Sequence, residues 1–213
     1  GIIVVGQSLY HDELNQASEA HKAMVVWGAN IPGQKYTTVG TDNYEGGKLA
    51  TEHLLQQGRQ KFAFLGDTRF PETRLRYEGY KDALKNAGLE YRSELTTDSE
   101  NASDLAMWSI SDLLKSEPDF DALIAASDML AFSAIKAIGN FGLKVPEDVA
   151  VVGYDNITLS DYSNPTLSSI TQDRSAGGKA LVDTLFEIIE NGTASNTIIK
   201  TELVIRESSS INH

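Results

Sequence analysis

The sequence predicts an α/β fold in which parallel strands alternate with amphipathic helices. Short apolar runs recur along the chain between segments of helical length, and this alternation is typical of βαβ units. Ser127 and Asp173 precede two of the helical segments at N-cap positions, and glycines suited to the left-handed cap follow several others. The predicted strands are 2–5, 23–27, 37–39, 62–65, 122–125 and 149–152.

Six helices are predicted between and after these strands, and one more strand follows the last helix. The residues of 197–206 are rich in β-branched side chains, which favours a single closing strand there. The following segment, 208–210, is predicted to be frayed. Gly46 and Gly47 are too few for a phosphate loop and are interpreted as sites of close helix packing. The predicted helices are 12–21, 44–57, 72–87, 102–115, 128–141 and 174–190.

Composition places the chain among soluble globular proteins. It has 213 residues, of which 41% are hydrophobic and 23% are charged, which suits one large or two small α/β lobes. No apolar run approaches the roughly 18 residues of a membrane span, and no signal peptide is visible. The absence of cysteine excludes disulfides and thiolate sites and fits a cytoplasmic protein. The net charge of −12 argues against nucleic-acid binding by this chain alone.

The sequence lacks the motifs of the common α/β enzymes. No Gly-x-Ser-x-Gly elbow, phosphate loop or dinucleotide fingerprint is present. The four histidines show no zinc-binding spacing, so neither a metal nor another cofactor is expected. Because no nucleophile and base pair is visible, a binding protein is favoured over an enzyme.

Polar residues follow three of the predicted strands, where ligands of open α/β sheets are usually bound. Asp155 comes after 149–152 and Ser127 after 122–125. Arg74 and Arg76 begin the helix that follows 62–65, although cations are disfavoured at a helix N-terminus. A turn-capping role for Asp155 and an N-capping role for Ser127 stay open as alternatives. If these strands are neighbours in the sheet, the three sites lie along one edge.

Several segments carry a resemblance to a known family, in its order and spacing. The chain resembles the effector-binding core of LacI/GalR-family transcription repressors, which implies the fold of type I periplasmic binding proteins. That fold has two Rossmann-like lobes with parallel sheets and a ligand between them. The segments are GTDNYEGG at 40–47, RYEGY at 76–80, SDMLA at 127–131, GLKVPED at 142–148, GYDN at 153–156 and PTLSSI at 165–170.

The resemblance assigns ligand-binding roles to particular residues. Asp155 matches the effector-binding aspartate, Arg76 the effector-binding arginine, and Ser127 a polar pocket position. A carboxylate accepts two hydrogen bonds from adjacent sugar hydroxyls, and a guanidinium donates several in a fixed fork. The further candidates are Gln172 and Asp42 as polar contacts and Tyr44 or Phe70 as a surface for stacking.

The resemblance also implies what the ligand is and which parts are missing. Many members carry an aromatic residue where this chain has Ser99, so a sugar is favoured over a purine. A sugar phosphate is possible if Arg74 and Arg76 hold the phosphate together. The helix-turn-helix domain, the hinge helix and the start of the first lobe are expected outside this chain. The expected division is 1–58 plus 171–196 for the N-terminal lobe, 59–170 plus 197–206 for the C-terminal lobe, and 207–213 as a tail.

The favoured function is therefore the cytoplasmic ligand sensor of a repressor. Operator DNA would be bound only through the missing N-terminal domain, and a homodimer with Tyr162 and the segment 159–167 at its axis is expected. A periplasmic sugar-binding protein of a transporter is the alternative, because it shares the fold. A doubly wound α/β enzyme is a third hypothesis, but the sequence offers no candidate nucleophile for it.

Overall fold

The computed structural model describes residues 1–97, 103–116 and 119–210. The strands are β1 (Ile2–Val5), β2 (Met24–Trp27), β3 (Thr37–Thr41), β4 (Phe62–Leu65), β5 (Thr96–Thr97), β6 (Ala122–Ala125), β7 (Ala150–Asp155), β8 (Ser168–Thr171), β9 (Thr197–Ile199) and β10 (Glu202–Val204). The helices are α1 (His11–Ala20), α2 (Asn43–Gln56), α3 (Pro71–Asn86), α4 (Ser103–Ser116), α5 (Asp128–Asn140) and α6 (Arg174–Asn191). The predicted α/β class is confirmed.

The chain divides into two compact units. Unit 1 comprises residues 1–43, 69–72 and 172–201. Its sheet has the order β1-β2-β3-β9, and all neighbouring strands are parallel. Leu181 and Ile188 of α6 pack on Val25 and Val39 of this sheet, which gives the unit a small core.

Unit 2 comprises residues 44–68, 73–171 and those from 202 onward. Its sheet has the order β10-β8-β7-β6-β4-β5, and only the β10–β8 pair is antiparallel. Strands β4 and β6 are buried along their whole length, as expected of parallel strands covered on both faces. The large buried side chains of this unit include Phe64, Leu65 and Leu123.

The boundaries of the units differ from the predicted lobes at α2 and at the last strand. Helix α2 was assigned to the N-terminal lobe, but Ala50 and Leu54 pack into the core of unit 2. The predicted single strand 197–206 is two strands, because β9 pairs with β3 of unit 1 and β10 pairs with β8 of unit 2. The β-branched composition therefore identified strand residues correctly without revealing that they serve two sheets.

The prediction of a frayed segment after Arg206 is wrong. Residues Glu207–Ser209 form a 3-10 helix, and Ser208 and Ser209 are buried. The Ser208 hydroxyl donates a 2.6 Å hydrogen bond to the Val151 carbonyl, and the Ser209 hydroxyl contacts that of Ser168 at 2.7 Å. These internal partners replace water for the hydroxyls, so the segment is fixed against β7 and β8.

Helices α2 and α3 of unit 2 cross at glycines, so the predicted close helix packing is confirmed at Gly47, whereas Gly46 faces strand β7. A Cβ atom added to Gly47 would overlap the carbonyl group of Arg76. A Cβ atom added to Gly79 would overlap the carbonyl oxygen of Tyr44 in the same way. Each helix thus presents a position without a side chain to the backbone of the other, and this contact fixes where Arg76 lies.

His53 gives unit 2 a pH-dependent contact with the chain's C-terminal 3-10 helix. Its Nε2 lies 2.8 Å from the Ser209 hydroxyl, and burial lowers the pKa of His53 below its usual value of 6.5. A lowered pKa means that the unfolded state binds the proton more tightly, so this stabilising contribution is present above pH 6.5 and is lost as the pH falls.

We expect wild-type stability to decrease from pH 7.5 to pH 5, and His53→Gln to reduce that pH dependence. Urea unfolding at several pH values measures it. His21→Gln, which removes an exposed imidazole from unit 1, is the control. An identical pH dependence in wild type and His53→Gln would contradict the assignment.

Candidate functional site

The turns that follow β7, β6 and β4 lie side by side at the carboxyl edge of the unit 2 sheet. These three strands are direct neighbours in the sheet, and all are parallel. Neighbouring strands are about 4.8 Å apart, so the turns after them share a short stretch of edge. Asp155 is the last residue of β7, and Ser127 and Asp67 lie in the turns after β6 and β4. The sheet order therefore meets the condition under which the predicted strand-end sites share one edge.

Arg76 of α3 lies across two of these strands. Its Nη1 donates a hydrogen bond to the Ala126 carbonyl, and its guanidinium carbon lies 3.6 Å from the ring centroid of Tyr154. The side chain is 9% exposed, so the stacking on the ring takes place largely away from water and is stronger for it. Arg76 is thus held at the carboxyl ends of β6 and β7, the edge at which β7 ends with Asp155.

The position of Tyr154 depends on a glycine of α2. A Cβ atom added to Gly46 would lie 2.6 Å from the Tyr154 hydroxyl oxygen and 2.7 Å from its ring. The missing side chain of Gly46 therefore leaves room for the ring on which Arg76 stacks.

Asp155 and Asn156 form a turn with unusual backbone conformation. Asp155 has φ 109° and Asn156 has φ 47°, and neither is a glycine. Such conformations cost about 1–3 kcal/mol each for most residues, although asparagine and aspartate tolerate them best. Backbone strain of this kind is concentrated at binding sites, and here it occurs at the residue that the sequence identified as the first ligand contact.

Arg206 holds this turn from the side of the C-terminal segment. Its Nη2 donates a 2.9 Å hydrogen bond to Asn156 Oδ1 and forms a 2.6 Å ion pair with Asp161. Its Nη1 donates to the Leu167 carbonyl at 2.7 Å. The guanidinium therefore ties the turn to both segments that follow it in the chain.

Asp128, the first residue of α5, is a buried carboxylate behind the same turn. Its oxygens accept hydrogen bonds from the Ile157 backbone amide at 2.8 Å and from the hydroxyls of Ser160 and Ser169 at 2.7 and 2.5 Å. Burial raises the pKa of Asp128 above its usual value of 3.8, while these hydrogen bonds oppose the shift. The side chain is internal to unit 2 and leaves the ligand-facing positions to its neighbours.

Ser127 caps α5 and stands at the edge of the sheet. Its hydroxyl oxygen accepts a 3.3 Å hydrogen bond from the Leu130 backbone amide, so the predicted N-capping role is confirmed. A serine hydroxyl that accepts from a backbone amide still carries a proton to donate. Capping and ligand contact are therefore compatible in this residue.

Two other candidate residues of unit 2 have surroundings that differ from those of Arg76. The hydroxyl of Tyr44 donates a 2.8 Å hydrogen bond to Asp82 Oδ2, which ties α2 to α3. Arg74 is exposed whereas Arg76 is buried, because residues two apart on a helix point to different faces. These different surroundings do not favour the possibility, left open by the sequence, that both arginines hold one phosphate.

The remaining candidates belong to unit 1. Gln172 accepts a 3.3 Å hydrogen bond from the Thr41 hydroxyl at the end of β3, and the Asp42 backbone amide donates to the Ile199 carbonyl at 3.2 Å. Phe70 is half-buried. Ser99, on which the preference for a sugar over a purine partly rested, lies outside the described residues.

Three buried polar residues at strand ends were not identified from the sequence. Asp67 follows β4, Gln7 follows β1, and Asp128 follows the cap after β6. Gln7 pairs with Ala29 through a donated bond of 2.6 Å and an accepted bond of 2.8 Å. The strand-end rule that identified Asp155 applies equally to Asp67 and Gln7, whereas Asp128 follows an N-cap serine and looks like a local capping residue. Among the described residues, no group of acidic, histidine or cysteine side chains is arranged to hold a metal ion.

The comparisons with known proteins agree with this architecture. Residues 51–209 match the family described as periplasmic binding protein-like domain. The chain belongs to this family. That match covers most of unit 2 together with the C-terminal part of unit 1, including α6.

Curated relatives include transcription regulators. The HTH-type transcriptional regulator CelR of Thermobifida fusca is 31% identical over 208 residues, which are 94% of this chain and 61% of that protein. The HTH-type transcriptional repressor PurR of Pasteurella multocida is 32% identical over 215 residues, or 98% of this chain and 64% of that protein. The chain thus spans about three-fifths of the length of these relatives.

Solved structures support the same grouping. A CelR–cellobiose complex has a TM-score of 0.88 at 30% identity, covering 98% of this chain and 65% of that one. A LacI-family sugar-binding regulator from Escherichia coli, in complex with phosphate, has a TM-score of 0.85 at 27% identity, covering 97% and 75%. The predicted resemblance to the effector-binding part of LacI-family regulators is confirmed, and the transporter alternative gains no support.

Proposed function

We propose that this chain is the ligand-sensing domain of a LacI-family transcription repressor, whose effector changes its affinity for operator DNA. The observation that carries the proposal is the order of β4, β6 and β7, which brings the strand ends bearing Asp155 and Ser127 to one edge, where Arg76 also binds the Ala126 carbonyl. Since the chain carries a net charge of −12, we assign DNA contact to another part of the parent protein, which would act in the cytoplasm. The description of CelR and PurR as HTH-type regulators agrees with this division.

We propose a sugar as the effector. The edge combines carboxylates with one buried guanidinium, and sugar hydroxyls both donate to the former and accept from the latter. Asp42 and Gln172 of unit 1 are proposed as further polar contacts, and Phe70 as an apolar surface for a sugar ring. A phosphate is less suited, because Arg74 points away from Arg76 and the nearby acidic groups repel an anion.

A thermal-shift screen of the chain tests the effector class. A ligand that binds only the folded state stabilises it by about 2.7 kcal/mol at one hundred times its dissociation constant. We expect stabilisation by a neutral mono- or disaccharide, with cellobiose among those screened. Clear stabilisation by hypoxanthine, guanine or a sugar phosphate, with none by any neutral sugar, would contradict the proposed effector.

We also propose that the parent protein is a homodimer in which unit 2 takes part. The side chains of Tyr162 and Leu159 are 79% and 51% exposed beside an apolar groove of about 550 Å³. The apolar side chains of the groove are Phe132, Ile135, Leu143, Val145, Leu159 and Pro165. Exposed apolar surface of this kind often marks a protein contact.

Light scattering at tens of micromolar should find a dimer of the full-length protein that Tyr162→Asp weakens at least tenfold, because a charge is costly in an apolar contact. Tyr91→Asp, at another exposed tyrosine of unit 2, should leave the dimer intact. A monomeric full-length protein, or a dimer equally sensitive to both changes, would refute this interface.

A further inference from the structure

The carboxylate of Asp128 is buried beneath the Asp155–Asn156 turn and has no part in the proposed ligand contacts. It is 0% exposed, which is rare for an aspartate unless its oxygens are fully engaged. Oδ2 accepts from the Ile157 amide and the Ser160 hydroxyl, and Oδ1 accepts from the Ser169 hydroxyl. The donors come from the segment that directly follows the turn and from β8, so one side chain joins these two parts of the chain.

Two of these hydrogen bonds act on the turn itself. The Ile157 amide follows Asn156 directly in the chain. The Ser169 oxygen, whose proton is donated to Asp128, accepts a 3.0 Å hydrogen bond from the Asn156 amide. The Ser169 hydroxyl carries one proton. Because that proton is donated to the Asp128 carboxylate, the lone pairs of the Ser169 oxygen face other donors. Asp128 thus fixes two consecutive amides of the turn, one directly and one through Ser169.

Strand β7 is shaped to admit this carboxylate. A Cβ atom added to Gly153 would overlap Asp128 Oδ1 and would lie 2.9 Å from Leu167 Cδ2. Any other residue at position 153 would therefore displace the acceptor of the Ser169 hydrogen bond. The backbone of β7 at Gly153 therefore sets where the Asp128 carboxylate lies, and the carboxylate in turn binds the residues around the turn that follows β7.

We propose that Asp128 is a positioning residue, which holds Asp155 and Asn156 at positive φ and so directs the Asp155 carboxylate toward the effector. The claim that Asp155 is directed toward the effector rests on the proposed function. The conformation of the turn can be measured in the protein without ligand. A buried carboxylate with three donors is costly to lose, since each unsatisfied donor left behind is destabilising. Arg206 adds a 2.9 Å hydrogen bond to the Asn156 side chain, whereas Asp128 acts on the backbone of the turn.

Amide hydrogen exchange of the ligand-free protein, followed by NMR, tests the proposal. In Asp128→Ala the protection of the Asn156 and Ile157 amides should fall at least about tenfold relative to that of Ile124 in β6. Asp128→Asn keeps an acceptor oxygen and should lose less than about threefold. Ser169→Ala should expose the Asn156 amide alone. This pattern differs from general destabilisation, which would affect Ile124 as well.

Unchanged protection of both turn amides in Asp128→Ala would overturn the proposal, as would equal losses in Asp128→Asn and Asp128→Ala. If Asp128→Ala does not fold, Ser169→Ala decides, because full protection of Asn156 in that variant contradicts the network. Failure to find a stabilising ligand in the thermal-shift screen would instead refute the proposed function, and it would leave the exchange result standing.

Discussion

Gly47→Ala is expected to destabilise the protein by about 3 kcal/mol, the upper part of the usual range for overpacking. The added methyl group would overlap the Arg76 carbonyl, and a backbone group moves only if α3 moves with it. Since α3 also carries the Arg76 side chain, the shift should disturb its stacking on Tyr154 and weaken ligand binding. Urea unfolding measures the stability change.

Gly139→Ala is the matched control for this substitution. Gly139 also lies in a helix of unit 2, but a Cβ atom there has no neighbour within 4 Å. Alanine is favoured over glycine in helices, so this variant should gain up to about 1 kcal/mol. Equal stability of Gly47→Ala and wild type would show that α2 and α3 do not cross as closely as described.

Arg76→Leu is expected to cost about 2 kcal/mol of stability and to abolish ligand binding. The leucine retains apolar packing on the Tyr154 ring, but it loses the cation–π contact and leaves the Ala126 carbonyl without the donor it has now. Thermal unfolding with and without the stabilising sugar measures both effects.

Arg74→Leu controls for the loss of one positive charge from the same helix. Because Arg74 is exposed, this change should alter stability by less than about 0.5 kcal/mol and should leave the ligand-induced stabilisation intact. Equal behaviour of the two variants would mean that the buried position of Arg76 has no functional consequence.

The elements with strong local signals were predictable from the sequence. Strands β4 and β6 are continuous apolar runs, and such runs are expected of central parallel strands. The N-caps at Ser127 and Asp173 and the left-handed Gly192 mark helix ends that the structure confirms. Strand β8 was missed because it begins with Ser168 and Ser169, whose burial depends on hydrogen bonds to distant residues.

The candidate site was predictable to the extent that it follows the strand-end rule. Asp155, Ser127 and the pair Arg74 and Arg76 were identified in this way, and the resemblance to the family then selected Arg76 from that pair. Asp128 was not, because a carboxylate next to an N-cap serine looks like a local capping residue. Its partners Ser160 and Ser169 are 32 and 41 residues away in sequence, a separation at which no local pattern is informative.

The most direct test of the proposed function is calorimetric titration of wild type and Asp155→Asn with the sugar that stabilises the protein most. Asparagine tolerates the positive φ of residue 155, so the variant should fold with nearly unchanged stability. Losing the charged partner of a hydrogen bond costs about 1.5–3 kcal/mol, or about ten- to one hundredfold in affinity. We predict a loss of at least tenfold in Asp155→Asn, whereas an unchanged dissociation constant would contradict the assignment of this edge as the ligand site.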